Sequence, residues 1–323
     1  MNLLKLKEKV LNGYKISKEE AIELCSKDVN ELAKAADEIR LKFREDSFDL
    51  CTIVNAKSGK CSEDCKFCAQ SVYYNTNVKT YPLLDADTIV KDAVKQYNQG
   101  IIRYSIVTSG RKLTDEEVLQ EAEIIKKIVA ACDIKVCVSN GLLSYESFKI
   151  LKDAGASRVH NNLESSPDYF KKVCTTHTSE DKINAIKAAK AAGLEICSGG
   201  IIGLGESEED RIDMALKLRE INVKSVPVNV LNPIPNTPFG NNAVLSEDEV
   251  RKTIAIFRFI LPDAFIRLAG GRALFEDKGK SIFKSGSNSA ISGDMLTTSG
   301  ISTKSDLEIL KDLNFTPREI SLI

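Results

Sequence analysis

The chain has little of what usually announces a function. Only two histidines, His160 and His177, occur among its 323 residues. A zinc centre that adds His ligands has almost nothing to draw on. Lys and Arg total 45 against 46 Asp and Glu, a net charge of −1. No basic excess exists to grip a phosphate backbone, so no nucleic-acid partner is expected. No apolar run approaches the ~18 residues of a membrane span. Residues 1–13 alternate Leu with Lys and Glu, without the apolar core of a secretory leader. A soluble, cytoplasmic protein without membrane contact is expected. No internal repeat or low-complexity linker divides the chain.

Cysteine is plentiful by contrast. Nine occur, an odd count. That pattern suits a reducing compartment and metal ligation better than a disulfide framework. Three fall within eight residues, Cys61-Ser-Glu-Asp-Cys65-Lys-Phe-Cys68. Three thiolates can hold three corners of a 4Fe–4S cube and leave the fourth iron open. A zinc or purely structural site is the competing reading. Zinc closes at four ligands, and no fourth Cys or His lies near this run in the sequence.

Residues 1–46 read as a helical extension. Ser17-Lys-Glu-Glu20 is a capping box, and Leu32, Ala35, Ile39 and Phe43 repeat at helical spacing. From residue 47 to 323 short apolar strands alternate with capped helices. Strands are predicted at Leu50–Asn55, Ile101–Val107, Ile134–Ser139, Ser157–Asn162, Leu194–Ile201, Ser225–Leu231 and Ala264–Leu268, with a weaker eighth at Asn288–Ile291. Helix starts are predicted at Thr114, Ser144, Ser179, Ser207 and Ser246. The alternation predicts an α/β fold, a (β/α)8 TIM-type barrel. No Gly-x-Gly-x-x-Gly follows the first strand, which counts against a doubly wound sheet. The cysteine run sits there instead, in a loop on the barrel's C-terminal face, where such enzymes build active sites.

Several strand residues are unusual. Cys51, Arg103, Ser105, Cys137, Cys197, Asn229 and Arg267 fall inside strands, and Asn161 and Asn162 are expected to end the fourth. A free Cys is by itself an ordinary core residue. Three from different strands can still meet, because inward residues stack in layers. A buried Arg without a partner is expensive. Arg103 and Arg267 therefore point to a charged object inside the barrel, for which an anionic iron–sulfur cluster would serve. Cys25 and Cys132 are placed on helices and given no role, and Cys174, near His177, reads as structural. Ser198-Gly-Gly-Ile-Ile-Gly-Leu-Gly-Glu206 is, taken alone, a turn ahead of a helix.

The cysteine run, with Phe67 before its last Cys, resembles the signature of the radical S-adenosylmethionine (SAM) superfamily. Further segments resemble the biotin synthase family within it: Cys61 to Ser71, Asn162 to Pro167, Ile196 to Glu206, Ser225 to Asn229, Ile266 to Arg272 and Gly286 to Ser289. The resemblance implies a 4Fe–4S cluster on Cys61, Cys65 and Cys68, with SAM on the open iron. It implies reduction by a flavodoxin or ferredoxin, a 5′-deoxyadenosyl radical, and sulfur insertion into dethiobiotin from an auxiliary iron–sulfur cluster. SAM contacts are expected from Asn162, Glu164, Lys182, Gly199 and Gly200, and substrate contacts from Asn161 and Asn229. A homodimer is expected. The pattern also departs from the family. Familiar members hold a 2Fe–2S auxiliary cluster with three Cys and one Arg. Cys137, Cys197 and Arg267 match, but the remaining Cys position is Ser105, and Cys51 stands where those enzymes carry a small hydroxyl residue. The expected auxiliary set is Cys51, Cys137 and Cys197 with Arg267 beside it; Cys51 and Arg267 are the expected catalytic pair. A four-iron cluster with an extra sulfide is favoured over a rearranged 2Fe–2S cluster. A related hydrogenase maturase or methylornithine synthase, and a non-enzymatic iron–sulfur carrier, are the alternative readings.

Overall fold

The computed structural model describes residues 2–318. Ten strands are present among these residues: β1 (Ser47–Lys57), β2 (Arg103–Thr108), β3 (Lys135–Ser139), β4 (Ala156–His160), β5 (Glu195–Cys197), β6 (Gly200–Ile202), β7 (Ser225–Val230), β8 (Phe265–Leu268), β9 (Ser289–Ser292) and β10 (Thr316–Pro317). The order β1-β2-β3-β4-β5-β7-β8-β9 closes on itself through a β9–β1 pairing, and every ladder is parallel. This is the predicted eight-stranded barrel.

The described residues also form twelve α-helices: α1 (Leu3–Leu11), α2 (Lys18–Leu24), α3 (Val29–Arg44), α4 (Ala86–Asn98), α5 (Asp115–Ala131), α6 (Tyr145–Ala154), α7 (Phe170–Val173), α8 (Ser179–Ala191), α9 (Glu208–Glu220), α10 (Glu247–Ile260), α11 (Lys280–Phe283) and α12 (Thr303–Asp312). Full capping boxes start α2, α5, α8, α9 and α10, at Ser17, Thr114, Thr178, Ser207 and Ser246. Each satisfies two otherwise orphaned backbone donors, so the sequence fixes where these helices begin. Helices α1–α3 lie outside the barrel: α2 packs on α9 and α10, α3 on α10, and α1 on α3. Arg44 donates to the Asp263 carbonyl, and Lys18 pairs with Asp213 at 2.8 Å.

Three expectations need correction. Leu194–Ile201 is two strands, not one. Opposite the break stands Pro227, which has no N–H to carry the ladder across. Gly199 passes so close to β7 that a Cβ there would lie 1.9 Å from the Pro227 carbonyl oxygen. The fourth strand ends at His160, because its ladder partner β5 stops at Cys197, directly opposite. Cys25 and Cys132 are the C-cap residues just past α2 and α5, not helix interior.

Candidate active site

One cavity of about 390 Å³ occupies the barrel interior. It runs from the loop after β1 down to side chains of the strands themselves.

The mouth is set by that loop. Cys61 N–H donates to the Gln70 carbonyl and its own carbonyl accepts from Val72 N–H, both at 2.9 Å; Cys68 N–H reaches the Cys65 carbonyl, also at 2.9 Å. These bonds fold the run back on itself. Cys61, Cys65 and Cys68 all line the cavity. The fold also brings a fourth thiol near, which the sequence separation hid. Ligand atoms of Cys65, Cys174 and His177 lie within 4.8 Å of one another. Cys174 Sγ is held by Asp64 Oδ1 at 3.1 Å and His177 Nδ1 at 3.2 Å, and His177 Nδ1 meets Glu63 Oε2 at 2.5 Å. Burial raises Asp64, but hydrogen bonds from Thr175 and its neighbours outweigh this and hold it below the usual carboxylate range. Cys174 and His177 line a separate surface pocket, not the cavity. They brace Cys65 from behind, and three thiols face the interior.

The waist carries the amides. Asn162 Oδ1 accepts from Gly199 N–H at 3.1 Å, and its Nδ2 donates to Glu164 Oε2 at 3.2 Å. Lys182 Nζ lies 3.9 Å from Glu164 Oε1. Glu164 has φ +69°, a left-handed conformation that a Glu rarely adopts. It is held there by Gly199 and Ile201, which bond its N–H and carbonyl at 3.1 and 2.8 Å. A Cβ on Gly200 would sit 2.5 Å from the Glu164 carbonyl oxygen, so this approach needs a glycine at 200. Asn229 spends its amide on the Gly200 carbonyl and the Gly270 N–H, at 3.1 and 2.9 Å. Asn161 Nδ2 donates to the Gly141 carbonyl at 3.0 Å, but its buried Oδ1 has no partner among the described residues.

The floor comes from strand register. Cys51 lies beside Arg103, Ser105 beside Cys137, and His160 beside Cys197. Cys51, Cys137 and Cys197 are 6%, 3% and 5% exposed, and all three line the cavity. Ser105 lines it too, against Cys137. Arg267 Nη1 donates to Cys51 Sγ at 2.6 Å. Burial pushes the Cys51 thiol up to about 12 and the Cys137 thiol up to about 11. Burial also raises Cys197, but His160, Arg267 and Arg158 outweigh it and bring that thiol down to about 6.

Sequence reasoning missed four of the floor's residues. Asp49 Oδ2 accepts from Arg267 Nη2 at 2.7 Å and from Arg158 Nη1 at 3.0 Å. Glu195 Oε2 accepts from Arg158 Nε at 2.9 Å and lies 3.9 Å from Arg103 Nη2. His160 lines the cavity. The signal was available: Asp49, Arg158 and Glu195 are charged residues within apolar strands, the argument already applied to Arg103 and Arg267. Three guanidinium groups face two carboxylates, one positive charge in excess. Arg103 Nε and Arg267 Nε are buried without a hydrogen-bond acceptor among the described residues. A buried cation with unspent donors calls for an anion, and a thiolate-bound iron–sulfur cluster fits that demand.

Comparison with known proteins agrees. Residues 56–218 match the radical SAM superfamily and residues 227–316 the biotin and thiamin synthesis associated domain. Biotin synthase of Clostridium botulinum (strain Loch Maree / Type A3) is 55% identical over 97% of this chain and 99% of its own length. That of Brachyspira hyodysenteriae is 53% identical over 98% and 95%. Among solved structures, methylornithine synthase superposes with a TM-score of 0.84 over 97% of both chains, at 18% identity. The FeFe-hydrogenase maturase of Carboxydothermus hydrogenoformans gives 0.82 over 99% of this chain and 80% of its own, at 20% identity. These two share the fold; the closeness to the biotin synthases is of another order. With that identity running nearly end to end, over a barrel that carries three thiols at each end of one cavity, the chain belongs to the biotin synthase family of the radical SAM superfamily.

Proposed function

We propose that this protein converts dethiobiotin to biotin. The observation that carries the reading is one cavity with thiol triads at mouth and floor and amides between them. When bound, a SAM-carrying 4Fe–4S cluster at the mouth supplies radical chemistry, and a second cluster at the floor supplies sulfur. The chain's own residues hold, orient and enclose. Cys61, Cys65 and Cys68 ligate at the mouth, with Cys174 and His177 bracing Cys65. Glu164, Lys182, Asn162 and the Gly199–Gly200 backbone form the SAM contacts. Asn161 Oδ1, the acceptor left open, takes a urea N–H of the substrate, since a neutral urea offers both donors and an acceptor. Asn229 lines the same space and fixes the Gly200 and Gly270 backbone around it. Ligation at the floor falls to Cys51, Cys137 and Cys197, with Ser105 not ligating.

Arg267 stays beside that cluster as a charge. Its Nη atoms already serve Cys51, the Ala290 carbonyl, Asp49 and Ser225, and only Nε is unspent. Ligation by Arg267 would first have to break a buried ion pair. This supports a three-thiolate, four-iron cluster with an extra sulfide over a 2Fe–2S cluster with an Arg ligand. Residues 1–46 serve as an outer extension, and none of them lines the cavity. A reduced flavodoxin or ferredoxin supplies the electron, and the working unit is a homodimer. No helix among the described residues is long and apolar enough to cross a membrane.

The test is anaerobic. Reconstituted protein given SAM, dithionite and dethiobiotin should form 5′-deoxyadenosine, methionine and biotin. Absence of 5′-deoxyadenosine would return the chain to the carrier reading. 5′-Deoxyadenosine without biotin would overturn the substrate. Iron and sulfide counting with Mössbauer spectra decides between the two floor clusters.

A further inference from the structure

The floor charges are layered. Arg103, Arg158 and Arg267 line the cavity, whereas Asp49 and Glu195 do not. The carboxylates stand behind the guanidinium groups. Asp49 and Cys51 are two apart on β1, so they point to the same face, and both meet Arg267. One oxygen of Asp49 takes Arg267 and Arg158 together. Arg158 is 1% exposed. Its Nε donates to Glu195, and its Nη2 lies 2.8 Å from the same oxygen.

We propose that Asp49 and Glu195 are positioning residues that hold Arg158 and Arg267 as a paired cationic wall against the floor cluster. The wall sets the cluster's reduction potential. This rests on the proposed function, because it requires a cluster at the floor. Without Asp49 the two guanidinium groups would repel each other in a dry interior, where charges interact most strongly. With it, each is fixed, and Arg267 keeps its Nε unspent. Cluster potentials follow net charge and hydrogen bonding around the sulfurs. Removing a carboxylate from behind the wall must therefore raise the potential. Removing a guanidinium from the wall must lower it.

The experiment is an anaerobic spectroelectrochemical titration of the reconstituted full chain, with the mouth cluster in the same sample as internal reference. Asp49→Asn and Glu195→Gln should each shift the floor cluster to higher potential. Arg158→Gln should shift it to lower potential, and Arg158→Lys, which restores the charge without the fork, should shift it less. The mouth cluster and its SAM cleavage should not move. Simple loosening of the floor would shift all variants the same way; opposite signs are what positioning predicts. If Asp49→Asn fails to fold, Glu195→Gln and Arg158→Gln still supply the two signs. Shifts of one sign, or none relative to the mouth cluster, overturn the proposal. So does loss of the floor cluster from every folded variant, Arg158→Lys included, for these groups would then be supports only. A parent protein that takes up only about four irons overturns the function reading as well. A parent with both clusters and unmoved potentials overturns this inference alone.

Discussion

The mouth and the floor of the barrel each gather three cysteines, by different means. At the mouth they come from one loop, Cys61 to Cys68, and short backbone bonds set their spacing. At the floor they come from β1, β3 and β5, and meet only because the sheet closes through β9 and β1. The mouth is bordered by hydroxyls and by carboxylates that already have partners. The floor packs five charged side chains together, none more than 9% exposed. A local site can tolerate a change at one residue without disturbing the barrel. A site assembled by the barrel cannot be separated from its packing, and its charges need partners wherever the cluster is missing.

Single substitutions sharpen this contrast. The largest effect is expected at the mouth. Cys65→Ala leaves two thiolates and should abolish reductive SAM cleavage, read as 5′-deoxyadenosine by chromatography. Any retained cleavage means the mouth is not the radical site. Cys51→Ser should spare that cleavage yet stop biotin formation. It should remove about four irons per chain, or about two if the floor holds a 2Fe–2S cluster. Full iron content with normal biotin output would take Cys51 out of the ligand set.

A smaller effect is expected between the two ends. Asn161→Ala should weaken dethiobiotin binding by ~1–3 kcal/mol, roughly 5- to 150-fold, by leaving a buried urea donor unpaired. Asn229→Ala, whose amide already serves Gly200 and Gly270, should lose less affinity and more thermal stability. Calorimetric titration in the presence of SAM ranks them, and the reverse order would reassign the substrate contact.

The smallest effect lies away from both ends. Glu121 is fully buried, and its Oε2 accepts from Asn140 Nδ2 at 2.8 Å. Burial pushes its carboxyl up from 4.5 to about 8. The folded state keeps a proton that the unfolded chain releases. The group's stabilisation is complete below about pH 4.5 and is lost as the pH rises through about 8. Glu121→Gln should flatten that part of the stability profile in denaturant titrations. An unchanged slope would mean that Glu121 ionises normally.

Much of this could be read from the sequence, for local reasons. Capping boxes and alternating apolar segments marked the barrel, and the CxxxCxxC run marked the mouth. Cys51, Cys137, Cys197 and Arg267 stood out as odd residues in strands. What escaped depended on neighbours far apart in the chain. Asp49 and Arg158 form a pair across 109 residues, and Cys174 reaches Asp64 across 110. The break at Ser198–Gly199 depended on a proline in another strand. Charge inside an apolar strand was a usable signal for Asp49, Arg158 and Glu195. For Cys174 no spacing pointed to Cys65.

The floor thiols, none more than 6% exposed, open into the same cavity that the mouth loop lines. Replacement iron and sulfide must therefore travel the corridor that SAM and dethiobiotin occupy during turnover. Repair and catalysis become alternating occupations of one passage. A protein stripped of its floor cluster should reload more slowly under saturating SAM and dethiobiotin than when empty. Equal reloading rates would reveal a second way in.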